Sequence, residues 1–206
     1  MTRDGELVVY HDASLIRFFN SPNKVRNLTW DELRRLNFSS ALPTEHVTMP
    51  SLVEVLEQLE NKYLCNIEVK KDRVDYNLLA GKLLQILREL DVADLVWISS
   101  FDSKFLQSWV KLQSEIPAAL LFDCFKPLSR RQIKKDWAEW LHPGVRLLEY
   151  YPKFRETGKP LCVWTVNRKE DLKICKELGV DAVITDNVPE ALKVLSGDKE
   201  EIDEQS

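Results

Sequence analysis

No glycine-rich loop occurs in this chain. Its six glycines are scattered, so the clustered turn with which nucleotide-binding folds cradle phosphates is missing. No apolar run approaches the roughly 18 residues of a membrane-spanning helix, and the N-terminus lacks a charged-then-apolar signal pattern. Excess positive charge is missing too. With 29 Lys and Arg against 33 Asp and Glu, the net charge is −4, which leaves no electrostatic footprint for nucleic acid. The basic cluster Arg130, Arg131, Lys134 and Lys135 falls on one amphipathic stretch and reads as a solvated helix face. The four cysteines, Cys65, Cys124, Cys162 and Cys175, have no metal-ligand spacing. They read as small core residues in a reducing compartment, which points to the cytoplasm.

What is present is an ordinary globular composition, 44% hydrophobic and 30% charged over 206 residues, enough for one domain with a full core. The stretch Cys65-Asn66-Ile67-Glu68-Val69-Lys70 stands out. As a strand it sends Ile67 and Val69 to one face, Glu68 and Lys70 to the other. A strand covered by helices on both faces normally reads as a near-continuous apolar run. Two charges near its end are costly unless they pair or meet a metal or ligand. On this stretch alone, a plain ion pair at the exit to solvent and a functional pair stay equally open.

Around that strand the chain alternates. An Asp-Gly turn at Thr2–Gly5 leads into a strand over Leu7–Tyr10 that ends in His11-Asp12. Capping boxes Thr29…Glu32 and Ser51…Glu54 open helices, the second reaching about Asn61, and Leu28 is placed to staple Leu33. Strands are predicted over 64–70, 96–101, 118–122, 140–143, 161–166 and 182–186. Helices follow over 75–90, from Phe105, from Ser129 through Trp137, over 145–158 around Pro152, from a cap at Asn167 to Gly179, and on to Leu195. The tail 197–206 is acidic. Six strands each followed by a helix mean a parallel α/β sheet; a barrel and a doubly wound sheet both fit, the second weakened by the missing glycine turn.

Polar residues gather at the C-terminal ends of these strands: Glu68 and Lys70, Ser99 and Ser100, Asp123, His142, Thr165 and Asn167, and Asp186. In parallel α/β folds that rim is where sites are built. Each has a bland reading. Asn167 and Asn187 cap helices, His142 caps a strand, Trp164 belongs to the core, and His11 is ambiguous between structure and catalysis.

Taken together the motifs resemble the glycerophosphodiester phosphodiesterase family. The matching stretches are Thr2 to Asp12 with Leu15 and Arg17, Leu28 to Leu33, Pro50 to Leu56, Ile67 to Lys70, Ile98 to Phe101, Trp164 to Asn167 and Gly179 to Asp186. They run in the family's order and cover nearly the whole chain. The resemblance implies a TIM-type (β/α)8 barrel over 1–196, with a hairpin arm and small insertion in 1–50 and strands three to eight in 51–196. It implies hydrolysis of glycerophosphodiesters to glycerol 3-phosphate and an alcohol, with a divalent cation, Mg²⁺ or Ca²⁺. His11 matches one of two acid–base histidines, Glu68 a metal ligand, Lys70 a lysine facing the phosphate, and Trp164 the tryptophan lining the substrate pocket. Residue types and reaction agree: cation and ammonium stabilise the charge that grows on phosphate oxygens, and an imidazole protonates the leaving oxygen.

The departures from the family are as definite. The strand with His-Arg-Gly and the strand with Glu-x-Asp have no counterpart, which implies an N-terminally truncated barrel of about six strands, short by roughly forty residues judged from the usual strand–helix unit. One histidine of two and one carboxylate of three remain, since His46 and His142 lie in no matching motif. The expectation is therefore that these 206 residues alone are inactive, that an oligomer is open to them through unpaired edges, and that the competing reading is a truncated non-catalytic paralogue binding phosphate ligands or a partner. A third reading builds a different site from His11, Glu68 and Lys70.

Overall fold

The computed structural model describes residues 1–12, 14–36, 48–58, 62–124, 131 and 133–196. At the N-terminus the expected turn forms: Gly5 takes φ +94°, open to a residue without Cβ, and the Thr2 N–H donates to the Glu6 carbonyl at 2.8 Å. The strand expected over Leu7–Tyr10 does not form. Val8 makes one antiparallel bridge with Ser51, and Pro50 beside it has no N–H with which to extend a ladder.

Helix α1, Ile16–Phe19, ends at Asn20 in the left-handed region. Helix α2, Trp30–Arg34, opens on the predicted capping box: Thr29 Oγ1 accepts from the Glu32 N–H, and Glu32 Oε2 accepts from the Thr29 N–H. Leu28 and Leu33 share one apolar cluster with Leu15, Phe19 and Met49, as the staple requires. Helix α3, Leu52–Gln58, has the second box, Ser51 with Glu54; its expected last turn to Asn61 and the loop at 37–47 lie outside the described residues.

Strand β1 is Cys65–Glu68. Helix α4, Tyr76–Glu89, starts where the Asp75 carboxylate accepts two backbone N–H groups and buries Leu79, Leu83, Ile86 and Leu87. Strand β2, Val96–Ser100, helix α5, Ser103–Val110, and strands β3, Ala118–Phe122, and β4, Trp140–Pro143, follow. The predicted helix start at Ser129 and Arg130 is outside the described residues. Arg131, Lys134 and Lys135 are exposed, but the helix does not continue to Trp137. Lys159 Nζ claims the carbonyls of Lys135 and Ala138, both at 2.6 Å, which turns the backbone away from a helical ladder. The helix expected over 145–158 is divided: a 3-10 segment Val145–Tyr150 gives way to α6, Tyr151–Arg155, with Pro152 in its first turn, where a missing N–H costs nothing. Strand β5 is Cys162–Val163, α7 is Lys169–Leu178 ending at Gly179 (φ +62°), β6 is Ala182–Val183 and α8 is Val188–Ser196. The acidic tail lies outside the described residues.

The chain divides into two compact units, Met1–Ile98 with Gln107–Ile116, and Ser99–Leu106 with Pro117 onward. In the first, β1 and the apolar cluster around Leu15 and Leu33 carry the N-terminal half. In the second, four strands run parallel. Leu121 of β3 stands opposite His142 of β4. Bridges Leu141–Leu161 and Gly144–Trp164 continue to β5, and Cys162 stands opposite Ala182 of β6. Val163, Val166, Leu172, Cys175 and Ala191 bury the interface between these strands and helices α7 and α8.

Candidate active site

In the first unit the polar face of β1 is as the alternation predicts. Lys70 Nζ stands 2.8 Å from Glu68 Oε1. That oxygen is buried and makes no directed hydrogen bond among the described residues, so the contact is electrostatic at a distance where a well-aligned bond would also form. Asn66, two residues earlier on the same face, has its Oδ1 buried and equally unpaired. Sequence reading passed over Asn66; the signal was its parity with Glu68. The Lys70–Glu68 ion pair and the unpartnered Asn66 Oδ1 thus share a face, which offers an ammonium to an anion and an acceptor oxygen to a donor group.

His11 ends the N-terminal arm. Its side chain is 75% exposed, and Nδ1 lies 2.9 Å from Asp12 Oδ1. The other Asp12 oxygen takes Arg17 Nε at 2.8 Å. Arg17 lies over the Phe18 ring, 4.1 Å from its centroid, on the helix whose neighbours Leu15 and Phe19 are buried. The chain's fold thus anchors the carboxylate first and the imidazole through it.

In the second unit the strand ends converge as the rim pattern predicts. Register puts Asp123, Gly144 and Trp164 side by side. A Cβ on Gly144 would meet Asp123 Cα at 3.5 Å and Trp164 Cζ2 at 3.7 Å, so the three are in close contact. Trp164 is half-buried rather than a core residue. Its indole N–H donates to the His142 carbonyl at 2.7 Å, and Phe101 meets its ring edge-on at 5.3 Å. That leaves an amphipathic ring held at both ends, fit to cover the carbon skeleton of a small ligand. Asn167 is not a helix cap. Its Oδ1 accepts from the Asp186 N–H and the Thr185 hydroxyl, and its Nδ2 donates to Asp186 Oδ2. It ties the ends of β5 and β6 together, and Arg168 takes the N-cap position without a side-chain bond. Asn187 does cap, accepting from the Glu190 N–H.

His142 is no strand cap either. It lies inside β4, fully buried, with neither ring nitrogen hydrogen-bonded among the described residues. Burial pushes its pKa down to about 4, so it is neutral at pH 7. Ser99, also fully buried, has its hydroxyl unpaired. Cys162 and Cys175 are buried, and burial pushes their thiols up to about 12 and about 11. These two are inert core residues, whereas Cys65 and Cys124, expected in the core with them, are only half-buried.

A divalent cation takes six or more oxygen donors, of which Mg²⁺ draws only one or two carboxylates from a protein. Among the described residues no three His, Cys, Asp or Glu side chains gather to hold one, and the Glu68 carboxylate faces an ammonium. These residues do not fit a complete cation site. No helix among them is long and apolar enough to cross a membrane.

Comparison with known proteins agrees with this geometry. Residues 1–190 match the glycerophosphoryl diester phosphodiesterase family. A glycerophosphodiester phosphodiesterase of Caldanaerobacter subterraneus subsp. tengcongensis is 33% identical over 199 residues, 93% of this chain and 81% of that protein. One from Bacillus altitudinis is 29% identical over 202 residues, 94% and 82%. Among solved structures, an Oleispira antarctica phosphodiesterase in complex with the product sn-glycerol-3-phosphate superposes with a TM-score of 0.82 at 20% identity, over 95% of this chain and 82% of that one. The α/β fold is therefore that of these barrel enzymes.

Proposed function

Because this chain belongs to the glycerophosphoryl diester phosphodiesterase family, we propose that it serves the hydrolysis of glycerophosphodiesters to glycerol 3-phosphate and an alcohol. The observation that carries this is the family match over residues 1–190, which spans His11, Glu68, Lys70 and Trp164 together. His11 acts as acid or base: with Nδ1 engaged by Asp12, its Nε2 is the nitrogen that exchanges a proton with the departing or attacking oxygen. Lys70 offsets charge on the phosphate oxygens. Trp164 lies against the ligand's carbon chain.

The family is in general dependent on a divalent cation, and Mg²⁺ or Ca²⁺ is the ion the resemblance implies, with Glu68 the ligand it assigns. Since Glu68 alone makes no site, the roles above rest on side chains only. The same observation favours a second reading, a protein that binds phosphate esters without cleaving them.

One experiment separates the readings. Glycerophosphocholine and glycerophosphoethanolamine are incubated with the protein and either cation, and glycerol 3-phosphate is measured beside its equilibrium binding. Turnover that falls by about 10²–10⁴-fold in His11→Ala supports hydrolysis; the exposed His11 side chain makes that variant safe for the fold. Glycerol 3-phosphate binding weakened by Lys70→Met, with no turnover, supports the second reading. Neither binding nor turnover defeats both.

A further inference from the structure

Resting on the acid–base role proposed for His11, we infer that Asp12 is a positioning residue that selects the imidazole tautomer, and that Arg17 holds Asp12 in place for that task. An imidazole alone in water favours the form with its proton on Nε2. The nitrogen that donates is set by the partner of the other. Here Asp12 Oδ1 is 2.9 Å from Nδ1, and a carboxylate only accepts. In the neutral ring the proton therefore sits on Nδ1, leaving the Nε2 lone pair outward as a base. In the protonated ring Nδ1–H still donates to Asp12, and the proton given up is the one on Nε2. Nε2 is therefore the exchanging nitrogen whether the ring acts as acid or as base.

An exposed contact between neighbouring residues is ordinarily weak. This one differs in which partner is fixed. The Asp12 side chain is 25% exposed against 75% for His11, and its second oxygen is held at 2.8 Å by Arg17. Arg17 in turn stacks on Phe18, and Leu15 and Phe19 on either side are buried. The carboxylate is thus preset before the ring arrives. Among the described residues, the ionic contacts at His11 run through Asp12 to Arg17, and the Tyr10 hydroxyl donates to the Ser14 carbonyl at 3.1 Å.

The test is a two-bond ¹H–¹⁵N correlation spectrum of the ¹⁵N-labelled protein, in which the three histidines are assigned with the His11→Ala variant. Above the imidazole titration, His11 is expected as the Nδ1–H tautomer. Asp12→Ala should return it to Nε2–H, and Arg17→Leu should give a mixture. In the hydrolysis assay Asp12→Ala should lower kcat by about tenfold or more with KM unchanged, while amide dispersion stays that of the parent. An Nε2–H ring in the parent overturns the inference, and so does a tautomer indifferent to Asp12→Ala. The spectrum is read without substrate. A protein that shows no turnover therefore refutes the proposed hydrolysis and leaves the tautomer result standing by itself.

Discussion

At the scale of single residues, buried polar atoms separate the working candidates from the bystanders. His142 is the sharpest case. Its pKa is pushed down to about 4 by burial from an ordinary 6.5. Between those values the unfolded chain binds a proton that the folded one does not, so stability is whole above pH 6.5 and is lost as pH falls towards 4. From pH 7 to pH 5 the loss should be about 2 kcal/mol, by integrating 1.36 kcal/mol per unit over that window. Urea denaturation at both pH values checks this against His142→Leu, which removes the titrating ring and fills the site with an apolar side chain. Carboxylates such as Glu54, held below the usual range by the Ser51 N–H, lose their contribution only at lower pH and cancel in the comparison. Equal pH slopes for the two proteins would defeat the assignment.

At the scale of elements, caps decide where helices begin, and the cap of α7 is unoptimised. Helices α2 and α3 have reciprocal boxes, whereas α7 starts at Arg168 with an extended backbone (φ −91°, ψ 138°) and no side-chain bond. The natural cap, Asn167, is already committed to Asp186 and Thr185. Arg168→Ser should therefore stabilise the protein by about 1 kcal/mol, the usual worth of an N-cap oxygen. The ion pairs lost are long, 3.6 and 4.0 Å, and 73% exposed on the arginine side, so they offset little. The measurement is the urea midpoint. Thr29→Ala at α2 is the mirror experiment and should cost about the same; a destabilised Arg168→Ser would mean that the arginine has a task its contacts do not reveal.

At the scale of the whole molecule, the prediction concerns cations. An ion bound with a Kd of 10 μM would, at 1 mM, stabilise the fold by about 2.7 kcal/mol, a rise of roughly 5–11 °C in Tm at about 2–4 °C per kcal/mol for this size. With one carboxylate, already facing Lys70, and no gathering of three donors among the described residues, melting curves in 1 mM Mg²⁺, 1 mM Ca²⁺ and EDTA should coincide. A clear rise with either ion would show that donors beyond these side chains complete a site. Added glycerol 3-phosphate, whose oxygens can supply what the protein does not, is the condition in which a cation effect is expected to emerge.

The sequence by itself determined the strand–helix alternation, both capping boxes, the glycine that ends α7 and the polar face of β1. Each of these is written in local chemistry: a side-chain oxygen three residues from its N–H, a residue free to take positive φ, a period of two. All six strands lie within the expected spans, the last two shortened to Cys162–Val163 and Ala182–Val183. Only the tertiary structure decided the rest, because it depends on partners distant in the chain. Val8 finds Ser51 and, stopped by Pro50, never becomes a strand. Lys159 takes carbonyls 21 and 24 residues earlier and turns the segment before Trp140 out of a helix. Asn167 gives up its cap to an aspartate 19 residues on. His142, which reads as a strand end, is enclosed because Leu121 and Cys162 stand beside it across parallel ladders. Burial is a property of those ladders and of nothing in the residues Trp140 to Pro143 themselves.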